Sequence, residues 1–224
     1  RVSGGVIVSE SVRTARALGR VVLASAHWMK FAAARQSWRR LTGVIDKLGA
    51  MGAPMALPAP HTSLSVEGIS VAPPGVQRLV RPPPHGATLS SARADCGARV
   101  VAARLRTATA VARRLAPQVV AGASVVVVPA GERWYDDTLR PAAEDLWGAG
   151  AVLDALGRQL GESVEASPEA RMAAAAWRAA VLPEDLLGCA GGRELAAAGF
   201  VADVEIAARH DVSEVVPVLQ GESF

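Results

Sequence analysis

The chain has 224 residues, 50% of them hydrophobic and 20% charged, with 24 Lys+Arg against 21 Asp+Glu for a formal net charge of +3. That apolar content offsets chain entropy and excludes wholesale disorder, and the length suits one globular domain over residues 1–224, with residues 1–60 atypical in pattern. The longest apolar stretch, Pro117 to Gly131, contains Gln118 and Ser124 and falls short of the roughly 20 residues a membrane span requires.

In chain order, Gly5 to Val8 and Arg20 to Ala24 read as strands flanking a helix, Lys30 to Leu41 as an arginine-rich helix, and Ala50 to Pro60 as a Pro/Gly-rich linker. From residue 76 onward, short apolar runs alternate with longer helical ones, the grammar of a βα layered fold. Val76 to Val80 reads as a strand that Arg81-Pro82-Pro83-Pro84 ends, because proline cannot donate to a ladder; His85 to Ser90 then opens a helix. Arg99 to Ala103 is the next strand, followed by a helix that Thr107 caps and that runs to Leu115, ahead of Pro117. Ser124 to Val128 reads as a buried strand, with Pro129 to Trp134 as the loop beyond it.

A further helix is predicted to begin near Pro141, with Leu146, Ala149, Leu153, Leu156 and Leu160 on one face. Ser167-Pro168-Glu169 supplies a cap and first turn for a helix through Trp177, and Pro183-Glu184-Asp185 starts another. Gly191-Gly192 reads as an interruption, Gly199 as the close of the following turn, and Glu214 to Leu219 as a last strand placed at an edge by Pro217.

In an open parallel sheet, ligands bind beyond the carboxyl ends of the strands. Three loops qualify: His85 to Thr88, Leu105 to Thr107, and Gly131 to Trp134. The first places Gly86 and Thr88 at a helix start, where backbone N–H groups and the helix dipole favour an anion, although an ordinary glycine turn with a threonine cap explains it as well. The third carries Glu132 and Arg133, and the helix behind it opens with Arg140, Glu144 and Asp145. Paired carboxylates in a first turn complement the dipole; the sharper reading has one of them reach a divalent cation, since Mg2+ prefers one or two carboxylates plus water and substrate phosphate. Arginines on the same rim match phosphate geometry better than lysine does.

The positive charge is almost all arginine, since Lys30 and Lys47 are the only lysines, and it is scattered among acids. The Arg35, Trp38, Arg39, Arg40 cluster is the nearest approach to a nucleic-acid stripe and reads as a solvated helix face, so neither a nucleic acid nor a membrane is expected as partner. Cys96 and Cys189 make no disulfide framework, so reduced thiols and a cytoplasmic location are expected. Cys189 precedes two glycines, a helix start and Arg193, surroundings that can lower a thiol pKa, but no nearby histidine supports a nucleophile assignment. The chain opens at Arg1 with no initiator Met and no secretory pattern, which leaves open that it is a fragment.

Three blocks carry a family resemblance. Pro129-Ala130-Gly131-Glu132-Arg133-Trp134 with Leu139 to Leu153, Arg81 to Ser90, and Cys189 to Leu195 with Gly199-Phe200, Asp203-Val204, Asp211-Val212 and Val216-Pro217 together resemble the 2-phosphosulfolactate phosphatase family, collinearly over about residues 62–224. The resemblance implies a three-layer α/β/α sandwich with a mostly parallel central sheet. It also implies Mg2+-dependent hydrolysis of (2R)-2-phospho-3-sulfolactate to 3-sulfolactate, a step of coenzyme M synthesis. The family's loop asparagine is His85 here, and its Asp-Val-Leu-Arg-Ala-Ser-Thr-like N-terminal motif finds its nearest counterpart in Val6 to Thr14, with Glu10 at the acid position and Arg13 at the basic one.

The expected catalytic residues are therefore Glu10, Glu144 and Asp145, with Glu144 and Asp145 on the metal. Arg13, His85, Gly86, Thr88, Gly131, Arg133 and Arg193 are expected to hold a small anionic phosphate ester. A homodimer is the default expectation for assembly. The alternative is a catalytically impaired relative that binds a small anion or acts as an interaction protein.

Overall fold

The computed structural model describes residues 5–8, 20–24, 99–134, 136, 138–161 and 165–220. Five strands form one parallel sheet: β1 (Gly5–Val8), β2 (Arg20–Ala24), β3 (Arg99–Ala103), β4 (Val125–Pro129) and β7 (Glu165–Ala166), in the order β3-β2-β4-β1-β7. A separate two-residue ribbon pairs β5 (Glu132–Arg133) with β6 (Leu139–Arg140). The strands predicted at 5–8, 20–24 and 99–103 sit at the predicted residues, and the one predicted at 124–128 is shifted by one to Val125–Pro129.

The strand β4 is the clearest case of sequence dictating position. Val125, Val126, Val127 and Val128 are all at most 2% exposed. Side chains alternate faces along a strand, so solvent is excluded from both faces of β4, and a continuous valine run is what such a strand requires.

Six helices are described: α1 (Ala108–Val120), α2 (Ala143–Leu160), α3 (Pro168–Ala179), α4 (Glu184–Gly188), α5 (Ala190–Ala197) and α6 (Val201–Ala208). Among the described residues no helix is long and apolar enough to cross a membrane. Helix α2 packs on α1, α3, β4 and β2. Its residues from Gly148 to Leu156 are all buried, so the predicted single apolar face is corrected: the middle of the helix is enclosed on all sides, while Leu146 is 38% exposed. Small residues make this possible. A Cβ on Gly150 would lie 2.1 Å from the Ala173 carbonyl oxygen, so α3 rests directly on the backbone of α2. The one charged group in this stretch, Asp154, accepts from the guanidinium groups of Arg158 and Arg178.

Three further predictions are corrected. Helix α1 continues through Pro117 to Val120; the proline falls in the last turn, and its carbonyl still accepts from Ala121 N at 3.1 Å. Helix α2 begins at Ala143, two residues after Pro141. Gly191-Gly192 does not interrupt a helix but lies in the first turn of α5, where a Cβ on Gly192 would be 1.7 Å from the Leu186 carbonyl oxygen. The predicted cap at Ser167 is present, its hydroxyl accepting from Ala170 N at 3.2 Å, and Gly199 has φ +87° as the close of α5.

The tail lies where the sequence places it, along a sheet edge, but as a bridge and not a full strand. Ala102 N donates to Pro217 O and Leu219 N to Val100 O, both at 3.0 Å, around an antiparallel Val101 to Val218 pair. Pro217 has no N–H to extend the ladder. The predicted strand at 76–80, the helices at 30–41 and 85–90, the linker at 50–60, and Cys96 lie outside the described residues.

Candidate active site

The register of the sheet places the site. Ala24 stands opposite both Ala103 and Pro129, so β2, β3 and β4 end level with one another. The loops after β3 and β4, two of the three proposed from sequence, therefore open on one rim. β1 runs parallel to β4 with Val8 opposite Val127 and leaves the sheet toward the same rim.

After β3 the chain passes through a short 3-10 turn, Leu105–Thr107, into α1. This helix start is already filled from within the protein. Asp211, at φ +50°, accepts from Thr109 N at 2.7 Å and from the Thr109 hydroxyl at 2.5 Å. The tail is tied down beside it, with Asp211 N donating to Leu105 O and Ser213 N to Arg106 O, while Arg106 donates to Ile206 O. An internal carboxylate thus takes the place an anion would take at this helix.

After β4 the chain turns at Gly131, φ +66°, where a Cβ would also press to 2.9 Å on Leu139 Cδ1. The β5–β6 ribbon that follows presents Arg140 between two acids, 3.4 Å from Glu132 and 2.9 Å from Glu194, with its guanidinium 5.1 Å from the Trp134 ring centroid. Glu194 belongs to α5, so Arg140 ties the ribbon to that helix. Arg133 pairs with Leu139 in the ribbon.

Glu144 and Asp145 occupy the first turn of α2 at this rim, and both are buried, at 3% and 4% exposure. The Glu144 carboxylate lies against α5: a Cβ on Gly191 would be 2.1 Å from its Oε1. Cys189, the residue before α5, places its thiol 3.5 Å from Glu144 Oε2 and 3.1 Å from Leu186 O, and its sulfur accepts from Gly192 N at 3.3 Å. Burial first, and then the Glu144 carboxylate, push this thiol up to about 11. The helix start that can lower a thiol pKa is present, but burial and the acid beside it favour the proton. Arg193 folds back to donate to the Gly188 carbonyl.

Gly131 and Arg133 lie on the β4–α2 connection, Glu144 and Asp145 in the first turn of α2, and Arg193 in α5; of these, the described contacts join Glu144 to the start of α5. Glu10, Arg13, His85, Gly86 and Thr88 lie outside the described residues, as does the Arg35 to Arg40 cluster. Among the described residues no three His, Cys, Asp or Glu side chains form a group able to hold a metal ion by themselves. Sequence reasoning missed the roles of Asp211 and of Gly191. Asp211 meets Thr109 across 102 positions and leaves no local signal. The paired glycines at a helix start were a usable one, because they mark a backbone that something approaches closely.

A family model for 2-phosphosulpholactate phosphatase matches residues 86–222. The chain belongs to that family. The matched range takes in the ribbon, the first turn of α2, α5 and the Asp211 tail, whereas β1 and β2 lie outside it. The chain is also similar to the Type I secretion system ATP-binding protein PrsD of Rhizobium meliloti (strain 1021), 49% identical over 78 residues. That similarity covers 35% of this chain and 13% of PrsD, so the chain spans a small part of that protein's length.

Proposed function

We propose that this phosphatase-family enzyme is Mg2+-dependent and hydrolyses (2R)-2-phospho-3-sulfolactate to 3-sulfolactate and phosphate, the reaction type of coenzyme M synthesis. The observation that carries the reading is the buried Asp145 in the first turn of α2, on the carboxyl rim of a parallel sheet and inside the family match. A hard cation with one or two protein carboxylates fits this donor set, and the second carboxylate is assigned to Glu10, two residues beyond the end of β1. Bound there, Mg2+ would act as a Lewis acid on a phosphate oxygen.

Water attacks phosphorus, the bond from phosphorus to the C2 oxygen breaks, and the leaving alkoxide takes up the proton that the attacking water gives up. The chain's part is to hold the ester. Arg133 and Arg193 supply cations, Gly131 permits close backbone approach, and His85, Gly86, Thr88 and Arg13 complete the cradle as the family resemblance implies. Arg140 is committed to Glu132 and Glu194 and is not assigned to substrate. In this reading the domain is a three-layer α/β/α sandwich, supported by the two-sided burial of β4, and it works in the cytoplasm, with a homodimer as its assembly. Asp145→Asn should abolish phosphate release with the thermal midpoint retained; turnover at the unchanged rate would contradict the assignment.

One observation favours a second reading. The family match begins at residue 86, so Glu10 and Arg13 lie outside it. In this reading the chain is the catalytically impaired relative that binds a small anion or acts as an interaction protein. Thermal stabilisation by 3-sulfolactate with no phosphate release would support this reading; Mg2+-dependent release would contradict it.

A further inference from the structure

We propose that Glu144 is a positioning residue that seats α5 on the first turn of α2, and that it is not a metal ligand. The proposal deepens the phosphatase reading and rests on it for its kinetic readout, while its structural readouts are independent of activity.

Both oxygens of the Glu144 carboxylate lie against the start of α5. Oε1 lies where a Cβ of Gly191 would be, at 2.1 Å, with Cδ at 3.0 Å, so only a glycine at position 191 lets the helix close on the acid. Oε2 faces the Cys189 thiol at 3.5 Å, immediately before the helix. The other side of the same turn is equally tight, since a Cβ on Gly192 would meet the Leu186 carbonyl oxygen at 1.7 Å. The start of α5 is thus wedged between the end of α4 and the Glu144 carboxylate, with no room for added atoms on either side. Two turns of interaction then join the same pieces, because Arg140, just ahead of α2, holds Glu194 of α5 at 2.9 Å.

A magnesium ion takes near-octahedral oxygen ligands at about 2.0–2.1 Å and keeps several waters. Around Glu144 the Gly191 backbone beside Oε1 and the Cys189 thiol facing Oε2 occupy the space such a shell would need. The adjacent Asp145 leaves α2 about 100° further round the helix, and a cation held there need not displace α5. Glu144 therefore acts through α5, fixing the helix that carries Arg193 relative to the rim.

The test is a size-exchange cycle in the full chain: Gly191→Ala, Glu144→Asp, the double variant, and the isosteric Glu144→Gln. Thermal midpoint, Mg2+ affinity by calorimetry with the metal alone, and KM and kcat for the phosphate ester are measured for each. Gly191→Ala should lower the midpoint and raise KM. Glu144→Asp withdraws the carboxylate by one methylene, and in the double variant it should restore at least half of both losses. Glu144→Gln should raise KM by about tenfold, as loss of an orienting partner does, and leave Mg2+ affinity within about twofold.

Additive losses in the double variant would overturn the proposal, and so would a fall of about 100-fold in Mg2+ affinity for Glu144→Gln with KM unchanged. If the wild type releases no phosphate, the phosphatase reading fails, and the thermal rescue and the Mg2+ affinity still decide the role of Glu144.

Discussion

Asp211 closes the first turn of α1 by holding Thr109 with both carboxylate oxygens, one on the backbone N–H at 2.7 Å and one on the hydroxyl at 2.5 Å. The contact joins residues 102 positions apart and anchors the tail over the β3–α1 turn. Removing a capping oxygen costs about 0.5–2 kcal/mol. Asp211→Ala should therefore lower stability by about 1–2 kcal/mol in urea unfolding, while Asp211→Asn, which tolerates the positive φ and keeps one acceptor, should lose about half as much. Equal losses for the two variants would show that the carboxylate pair is not what holds the tail.

The Cys189 thiol is pushed from its ordinary 9.0 up to about 11 by burial and by Glu144. At neutral pH it is protonated, and iodoacetamide should modify it far more slowly than a free thiol, with the rate rising only as pH nears 11. The folded state holds this proton more tightly than the unfolded chain does. The group's share of stability is therefore complete below about pH 9 and is lost as pH rises through about 11. Rapid alkylation of the native protein at pH 7 would contradict the geometry at Glu144.

Asp154 is 9% exposed, whereas its partners Arg158 and Arg178 are 57% and 58% exposed. Removing an exposed cation costs little, since the remaining partner still serves the acid. Removing both cations leaves the buried acid without either of these partners, whereas removing the acid leaves two solvated arginines. Arg158→Ala should cost at most about 1 kcal/mol and the Arg158→Ala, Arg178→Ala double variant about 3 kcal/mol. Chemical denaturation of both variants checks the asymmetry; equal effects would contradict it.

The backbone of α3 rests on Gly150, where an added Cβ would stand 2.1 Å from the Ala173 carbonyl oxygen and 2.7 Å from Trp177 Cβ. Neither neighbour is a flexible chain end. Gly150→Ala should destabilise by about 1–3 kcal/mol through overpacking, despite the better helix propensity of alanine. Gly157→Ala, in the same helix with nothing within 4 Å of its Cβ, should instead stabilise by up to about 1 kcal/mol. The pair measured together separates packing from propensity.

The strands were legible wherever burial is two-sided. The valines of the run Ser124 to Val128 announce β4 because all four are buried, whereas β3 is announced by buried Val100, Val101 and Ala103 after an exposed Arg99. Leu146 shows the opposite case: periodicity placed it on a buried face, yet at the start of the helix the buried side is that of Glu144 and Asp145, and full enclosure begins at Gly148. Pro117 misled as a stop because a proline in a final turn removes a single hydrogen bond. At the site, the family pattern named Glu144, Asp145 and Arg193 but not their division of labour. That division depends on Glu144 meeting Gly191 across the α2–α5 junction, a contact between residues 47 positions apart that no local spacing encodes.

The measurement that bears most directly on function is phosphate release from racemic 2-phospho-3-sulfolactate with Mg2+ and with EDTA, beside plain phosphate monoesters. Release that requires Mg2+ and stops with half of the racemate consumed is the predicted result. Equal release with EDTA, or none from a sample with a cooperative thermal transition, would contradict the account.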